Sequence, residues 1–265
     1  MFRIGLFATG RGQGSLQLVT AVHNAVESGS LPISVEFVFS NREPGEFEPT
    51  DRFFDAVQGF GYPLVTRSFR RFKRELGDDP EWRVQYDRET IKLLAPFNPE
   101  LCVLAGYLLI FSPELCNRYP VINLHPSAPG GPIGMWQNVI WQLIEARATA
   151  SGNMMQLVTP EVDKGLVVSF STYPITGPVF DPLWHNIANR TVEDIKATEG
   201  EELPLFQAIR EAGTLRERQL LLETLRTFAQ GRMKFANGTA VDEQGHPVRG
   251  LDLTEQIETR LRAAD

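Results

Sequence analysis

Hydrophobic and polar positions along the chain predict strands and helices that follow one another. Short apolar runs at residues 3–8, 34–40 and 101–106 are typical of strands that are buried on both faces of a parallel sheet. Helical periodicity appears between them, at residues 16–26 and 53–60. Strands that alternate with helices form βαβ units. The pattern therefore predicts an α/β fold with a mostly parallel central sheet.

Other stretches carry weaker signals. Residues 42–51 are polar and contain Pro and Gly, which predicts a loop. The charged run 68–82 indicates a solvated face, and residues 186–206 predict one helix that Pro204 reshapes locally. We predict a further helix at 215–228 and, at 231–247, a hairpin with an Asn237-Gly238 turn.

The chain's candidate chemistry lies around residue 123. Asn123 and His125 are one residue apart, so on a strand their side chains point to the same face. Pro126 cannot continue a ladder of backbone hydrogen bonds, so the strand should end at His125. Asp163 lies in a Pro/Asp/Lys/Gly turn between apolar runs at 154–158 and 166–173, which predicts a hairpin-like loop. An amide, an imidazole and a carboxylate can stabilise an oxyanion and carry a proton.

Composition narrows the possible functions. The chain has 265 residues and a net charge of −7, which disfavours a broad basic surface for nucleic acid. The two cysteines, Cys102 and Cys116, lie in apolar surroundings and indicate reduced, buried thiols. The histidines lack metal-ligand spacing, so we predict no metal site. We find neither a signal-peptide pattern nor a membrane-length apolar run, and expect a cytoplasmic protein.

A glycine-rich loop follows the first strand and precedes a helix, which is an arrangement that offers free N–H groups to an anion. A dinucleotide site is one alternative, but the spacing departs from G-x-G-x-x-G. The strand at 34–40 is also followed by Asn41, where a ribose hydroxyl would need an acid. The loop lacks the lysine of a P-loop. A loop that serves only tight packing remains the other alternative.

Two longer motifs are more specific. Asn-Leu-His-Pro-Ser at residues 123–127, a Gly/Pro loop to Gly134, and Val-Thr-Pro-Glu-Val-Asp-Lys-Gly at residues 158–165 together resemble the signature of folate-dependent formyltransferases. The resemblance covers residues 1–235. It implies a three-layer Rossmann-like fold, 10-formyltetrahydrofolate as formyl donor, and Asn123, His125 and Asp163 as the catalytic set.

The resemblance also implies which residues bind the donor and where this chain departs from its relatives. The segment 105–113 is similar to the segment that lines the family's pterin pocket, although Leu109 replaces the usual Arg. Trp136, Asn138 and Gln156 stand where relatives often carry histidine, near the amine substrate or the catalytic histidine. The folate-binding residues that we expect are Leu108, Leu109, Phe111, Val158, Pro160 and Glu161.

For the acceptor, the resemblance implies glycinamide ribonucleotide, and therefore a role in purine biosynthesis. Gly12, Gly14 and Ser15 would bind its phosphate and Glu199 its ribose, although the loop is one residue longer than in relatives and Ser15 replaces an Asn. Another small amine such as an amino sugar, or hydrolysis of the formyl-folate, is the alternative. We expect neither the N-terminal domain of the hydrolase relatives nor the basic C-terminal domain of the tRNA formyltransferases.

We predict a formyltransferase domain at residues 1–235. Residues 1–100 form its phosphate-binding half and residues 101–235 its folate-binding and catalytic half. Residues 236–265 form a C-terminal extension with a hairpin and a helix. The predicted partners are small-molecule substrates, without nucleic acid or membrane. The oligomeric state stays open, with a homodimer as one possibility. A binding module that keeps the fold without catalysis is disfavoured by the intact catalytic set.

Overall fold

The computed structural model describes residues 1–161, 165–236 and 238–264. The strands are β1 (Phe2–Phe7), β2 (Ile33–Ser40), β3 (Leu64–Thr66), β4 (Leu101–Leu104), β5 (Val121–His125), β6 (Ala150–Leu157), β7 (Val167–Pro174), β8 (Met233–Ala236), β9 (Thr239–Asp242) and β10 (Leu251–Asp252). The α-helices are α1 (Gln13–Glu27), α2 (Glu48–Gly59), α3 (Phe69–Leu76), α4 (Trp82–Leu93), α5 (Pro113–Arg118), α6 (Trp136–Glu145), α7 (Asp181–Asn186), α8 (Val192–Thr198), α9 (Pro204–Ala229) and α10 (Thr254–Ala264).

In the part of the chain that the structure describes, the main sheet has eight strands in the order β10-β7-β6-β5-β4-β1-β2-β3. β1 pairs in parallel with β2 and with β4, and β4 pairs in parallel with β5. Helices connect these strands along the chain, as parallel pairing requires. The predicted fold class, an α/β fold with a mostly parallel central sheet, is confirmed. The predicted hairpin near residue 235 is also present as antiparallel β8 and β9, although Asn237 lies outside the described residues.

The chain divides into two compact units. The first consists of Met1–Asn123, Gln156–Leu166 and Leu225–Val248, and the second of Leu124–Met155, Val167–Thr224 and Arg249–Asp265. The halves that we predicted at residues 1–100 and 101–235 were divided by function and not by compactness, and they stay a prediction.

Aromatic side chains form the centre of the first unit's core. Phe7 of β1 contacts Phe37 and Phe39 of β2, with ring centroids 5.6 Å and 5.4 Å apart. It also contacts Tyr107 and Phe111 at 5.7 Å and 5.1 Å, most of these pairs in edge-on geometry. Such pairs contribute about 0.5–1.5 kcal/mol each beyond the area they bury. The cluster therefore anchors the segment after β4, which lines the cavity described below.

The second unit has its own core between helices α6 and α9. Trp141 packs on Phe206 with ring centroids 4.8 Å apart. The hydroxyls of Ser169 and Thr224 share a buried hydrogen bond of 2.6 Å, which satisfies both polar groups between β7 and α9. These contacts hold α9 against the strand that follows the predicted catalytic loop.

Two predicted elements differ from the structure. The prediction of a single helix at 186–206 is wrong. Helix α8 begins after Thr191, whose hydroxyl accepts a hydrogen bond from Asp194 N. The helix ends before Gly200, which has a φ of 57°. Pro204 begins α9 instead of reshaping a helix interior. The predicted loop at 42–51 is shorter because α2 begins at Glu48, with Pro49 in its first turn. The charged run contains helix α3, which Ser68 caps, and most of its charged side chains are exposed, as predicted for a solvated face.

Candidate active site

An apolar cavity of about 140 Å³ lies within the first unit. It is bounded by the ends of β4 and β5, by the segment after β4, and by the end of β6 with the residues after it. Its lining residues are Leu104, Tyr107, Leu108, Leu109, Ile110, Phe111, Asn123, Gln156, Leu157, Val158 and Thr159. The cavity thus lies at the carboxyl ends of parallel strands, the usual place for ligands in open α/β sheets.

Local hydrogen bonds hold the segment after β4. Gly106 adopts a φ of 76°, a conformation that favours glycine, and its carbonyl accepts a hydrogen bond from Thr9 N at 3.2 Å. Leu108 N donates to Thr9 Oγ1 at 3.0 Å. At the far end, Ser112 N donates to the carboxylate of buried Asp87 at 2.6 Å, and burial raises the pKa of Asp87. The segment 107–111 is therefore fixed at both ends.

The strand β5 carries the predicted amide and imidazole. Asn123 pairs with Leu104 of β4, is half-buried and contributes to the cavity lining. His125 is the last residue of the strand, and its exposed fraction is 3%. Its Nε2 lies 3.3 Å from the Pro132 carbonyl oxygen. The prediction that Pro126 ends this strand is confirmed.

Asp163, the third member of the predicted set, lies outside the described residues. The strands on either side of it are described: β6 and β7 are neighbours in the sheet. Leu157 N donates to Leu166 O at 2.9 Å. A pair of strands that flanks the loop of Asp163 is consistent with the predicted hairpin.

The predicted folate-binding residues fall into two groups. Leu108, Leu109, Phe111 and Val158 line the cavity, whereas Pro160 and Glu161 are exposed and do not belong to its lining. Sequence reasoning missed other lining residues, namely Leu104, Tyr107, Ile110, Gln156, Leu157 and Thr159. The signal for Tyr107 and Ile110 was available, because both belong to the apolar run that contains Leu108 and Leu109.

The glycine loop leads directly into α1. Gly12 is the residue before the helix, in an extended conformation and without a side-chain cap, so Gly14 and Ser15 belong to the first helical turn. The first N–H groups of a helix have no partner inside it and carry partial positive charge. Ser15 is buried and its hydroxyl donates to the Gly106 carbonyl at 3.4 Å. The available donors at this helix start are therefore backbone N–H groups.

The second unit contains Glu199 and two residues that depart from the family pattern, Trp136 and Asn138. Glu199 follows α8 and pairs with the guanidinium of Arg190, which also contacts Asp194 at 3.0 Å. Trp136 begins α6, and the guanidinium of Arg210 lies 4.5 Å from its ring centroid. Glu199 is thus already held in one orientation by an arginine.

The described ranges contain neither a metal-binding cluster nor a helix that could span a membrane. Within residues 1–161, 165–236 and 238–264 there is no group of three or more His, Cys, Asp or Glu side chains arranged to hold a metal ion. No described helix combines the length and apolar character needed to span a membrane. Both cysteines are free thiols, as predicted, but only Cys102 is buried. Cys116 is half-buried, and this burial raises its pKa to about 11.

Comparison with known proteins gives a consistent result. A family model described as formyl transferase matches residues 11–179, which is more than half of the chain. Phosphoribosylglycinamide formyltransferase of Escherichia coli (strain K12) is 32% identical over 239 residues, which are 89% of this chain and 93% of the relative. Its namesake in Haemophilus influenzae is 23% identical over 255 residues, with 94% and 98% covered.

Solved structures share the fold. The phosphoribosylglycinamide formyltransferase of Coxiella burnetii, in complex with CHES, is 20% identical, with 95% of this chain and 98% of that chain covered and a TM-score of 0.67. A formyltetrahydrofolate deformylase of Pseudomonas syringae is 18% identical, with 91% and 65% covered and a TM-score of 0.60. The family match and the 32% identity to a relative that is covered almost entirely show the lineage. The chain belongs to the formyl transferase family.

Proposed function

We propose that the protein transfers a formyl group from 10-formyltetrahydrofolate to the primary amine of glycinamide ribonucleotide. The observation that carries the proposal is the position of Asn123, which lines a cavity together with mainly apolar residues. The names of the Escherichia coli and Haemophilus influenzae relatives support the choice of acceptor. Amide donors next to an apolar, water-poor surface are suited to acyl transfer.

The cavity fits the ring end of a folate. Ligand pockets for whole drug-sized molecules measure roughly 300–1,000 Å³, so 140 Å³ has room for a flat bicyclic ring, and the rest of the molecule would extend outside. Leucine, isoleucine and phenylalanine side chains offer apolar faces to such a ring. When bound, the folate supplies a formyl group on nitrogen, and the protein supplies orientation and charge.

The residues of β5 would act on the formyl oxygen. As the amine attacks, negative charge develops there, and the Asn123 carboxamide N–H is a suitable donor. A protonated His125 would be a second donor. Each such donor typically contributes about 3–4 kcal/mol in the transition state. Asp163 would favour the cationic imidazole and relay the amine's proton, through water, to the nitrogen that the formyl group leaves.

Leu108 gives a direct test of donor binding. The residue lines the cavity, yet 56% of it is exposed, so its substitution should not disturb the core. We expect Leu108→Asp to raise the KM for 10-formyltetrahydrofolate by about 5- to 10-fold, the loss of roughly half of a leucine's burial energy. Val179→Asp, which is 71% exposed and outside the cavity, is the matched control. An unchanged KM in Leu108→Asp would mean that the donor binds elsewhere.

The acceptor would bind through its phosphate and ribose. Gly12, Gly14 and Ser15 provide the helix start at which N–H groups can hold a phosphate without a lysine. Glu199, which Arg190 orients, would accept hydrogen bonds from ribose hydroxyls. A neutral amino sugar would gain nothing from an anion-binding loop.

The test compares amines in the absorbance assay of formyl-folate consumption. We expect turnover with glycinamide ribonucleotide. For its dephosphorylated riboside we expect a decrease in kcat/KM that is equivalent to about 2–4 kcal/mol, because several N–H groups would lose a charged partner. Equal rates for the two acceptors would favour an amino sugar or another amine. Turnover without any amine would identify a hydrolase, and folate binding without turnover a binding protein.

A further inference from the structure

Arg42 is buried, two residues after the end of β2. Its exposed fraction is 6%, and its guanidinium lies over the ring of Phe47, 4.9 Å from the ring centroid. Its Nε is fully buried and makes no hydrogen bond. Arg42 forms no ion pair with any residue that the structure describes. Since an arginine side chain remains charged in proteins, the charge is retained in this position.

The surroundings of Arg42 disfavour the positive charge of its guanidinium. Burial lowers the pKa of Arg42, and the nearby positive charges of Arg70 and Arg11 lower it further, against Glu46, which raises it. A buried charge is costly unless a partner and hydrogen bonds compensate it. The charges that act on Arg42 are thus two positive and one negative, and a bound anion would stabilise its guanidinium.

The strand register brings this site to the glycine loop. β1 and β2 are parallel neighbours with Phe7 opposite Phe39, and Ala8 N donates to Phe39 O at 2.9 Å. The segments that follow the two strands, 9–12 and 41–42, therefore leave the sheet at the same end, the carboxyl end of the strands. The positive charge of Arg11, a residue of the loop, also lowers the pKa of Arg42, which is consistent with a short distance between the two side chains.

Asn41 adds a second buried group without a partner. Its exposed fraction is 1%, and neither Oδ1 nor Nδ2 of its carboxamide makes a hydrogen bond. Buried polar groups in native proteins are nearly always paired, so two unpaired side chains in sequence require an explanation. Hydrogen-bond donors that the chain itself does not use are present at the start of α1, at Asn41 and at Arg42.

We propose that Arg42 is the buried counter-charge for the phosphate monoester of the acceptor, which it binds together with the N–H groups at the start of α1. This inference rests on the proposed function, in which that phosphate lies at the glycine loop. A guanidinium presents paired N–H donors that match two phosphate oxygens. Arg42 is then a specificity-determining residue that makes a phosphorylated acceptor preferable to a neutral one.

The first experiment measures phosphate binding without the formyl reaction. Inorganic phosphate should raise the melting temperature of the wild type above that in sodium chloride of equal ionic strength, by about 2–6 °C at saturating ligand. In Arg42→Met we expect no such rise, and a melting temperature without phosphate at least equal to that of the wild type, because an uncompensated buried charge is removed. Arg42→Gln takes its place if Arg42→Met does not fold.

The matched control is Arg74→Gln. Arg74 lies on α3, is exposed and carries the same charge, so its variant should keep the full phosphate-induced rise. In the second experiment, the ratio of kcat/KM for glycinamide ribonucleotide to that for its riboside should fall by about 10- to 100-fold in Arg42→Met, the effect of one lost charged contact.

Three results would overturn the inference: no phosphate-induced rise in the wild type, an undiminished rise in Arg42→Met, or an equal loss in Arg74→Gln. The phosphate titration needs no acceptor amine and no folate. Failure of the wild type to formylate glycinamide ribonucleotide would therefore reject the proposed acceptor. The phosphate-induced rise in melting temperature would still report on the anion site independently.

Discussion

His125→Ala is expected to lower turnover by about 100-fold or more while the protein stays folded. The residue ends β5, two positions after the amide that lines the cavity, so on this strand the two side chains share a face. Loss of the imidazole removes both a donor to the developing oxyanion and a proton carrier, each worth about 10²–10³-fold or more in comparable enzymes. The measurement is kcat at saturating donor and acceptor, together with the melting temperature.

His23 provides the matched control for that variant. It lies in α1, stacks on Phe60 with ring centroids 4.0 Å apart, and contacts the Tyr62 hydroxyl at 3.2 Å. His23→Ala therefore removes the same side chain from a packed position outside the predicted set, and we expect near-native kcat. A near-native kcat in His125→Ala as well would show that the imidazole of β5 has no part in the chemistry.

Asp163→Asn should lower turnover to a similar extent, by about 100-fold, because an amide cannot favour the cationic imidazole or relay a proton. Its effect should not add fully to that of His125→Ala, since residues that act as a unit are non-additive. The kcat of the double variant, compared with the two single variants, measures this coupling. Full additivity would mean that the two residues act independently.

The local signals of β5 were strong enough for prediction. Alternation and Pro126 define the strand and its end within a few residues, so the positions of Asn123 and His125 follow from sequence alone. The cavity segment was equally accessible, because an unbroken apolar run from Leu101 onward predicts a buried strand with an apolar continuation.

The part of Arg42 in the proposed anion site could not be predicted in this way. Arg42 begins a polar stretch that is typical of an exposed loop, yet it is buried in the folded protein, where its guanidinium lies over the ring of Phe47. The start of α1 was predicted only approximately. Helical periodicity begins at residue 16, whereas the helix begins at Gln13, because the low helix propensity of glycine at positions 12 and 14 hides the first turn. Contacts between distant segments leave no periodic trace in the sequence.

The loop of the predicted carboxylate depends on a glycine, and this gives the second large expected effect. Gly165 is the last residue of the motif that contains Asp163, and a Cβ atom built on it would overlap the backbone carbonyl of Leu157. That carbonyl belongs to the end of β6, where Leu157 N also pairs with Leu166 O at 2.9 Å. A backbone carbonyl in a paired strand cannot rotate away as a side chain can, so an added methyl group must displace one strand end.

We therefore expect Gly165→Ala to lower the free energy of unfolding by about 3 kcal/mol or more, the upper range for overpacking. This corresponds to a melting temperature lower by about 6–12 °C. Turnover should fall more steeply than the folded fraction, because the shift acts on the loop that carries Asp163. Gly59→Ala is the matched control: nothing lies within 4 Å of its Cβ at the end of α2, and alanine favours a helix, so stability should be kept or slightly raised. If Gly165→Ala kept both stability and kcat, the close approach of residues 157 and 165 would not constrain the loop, and the carboxylate would need another support.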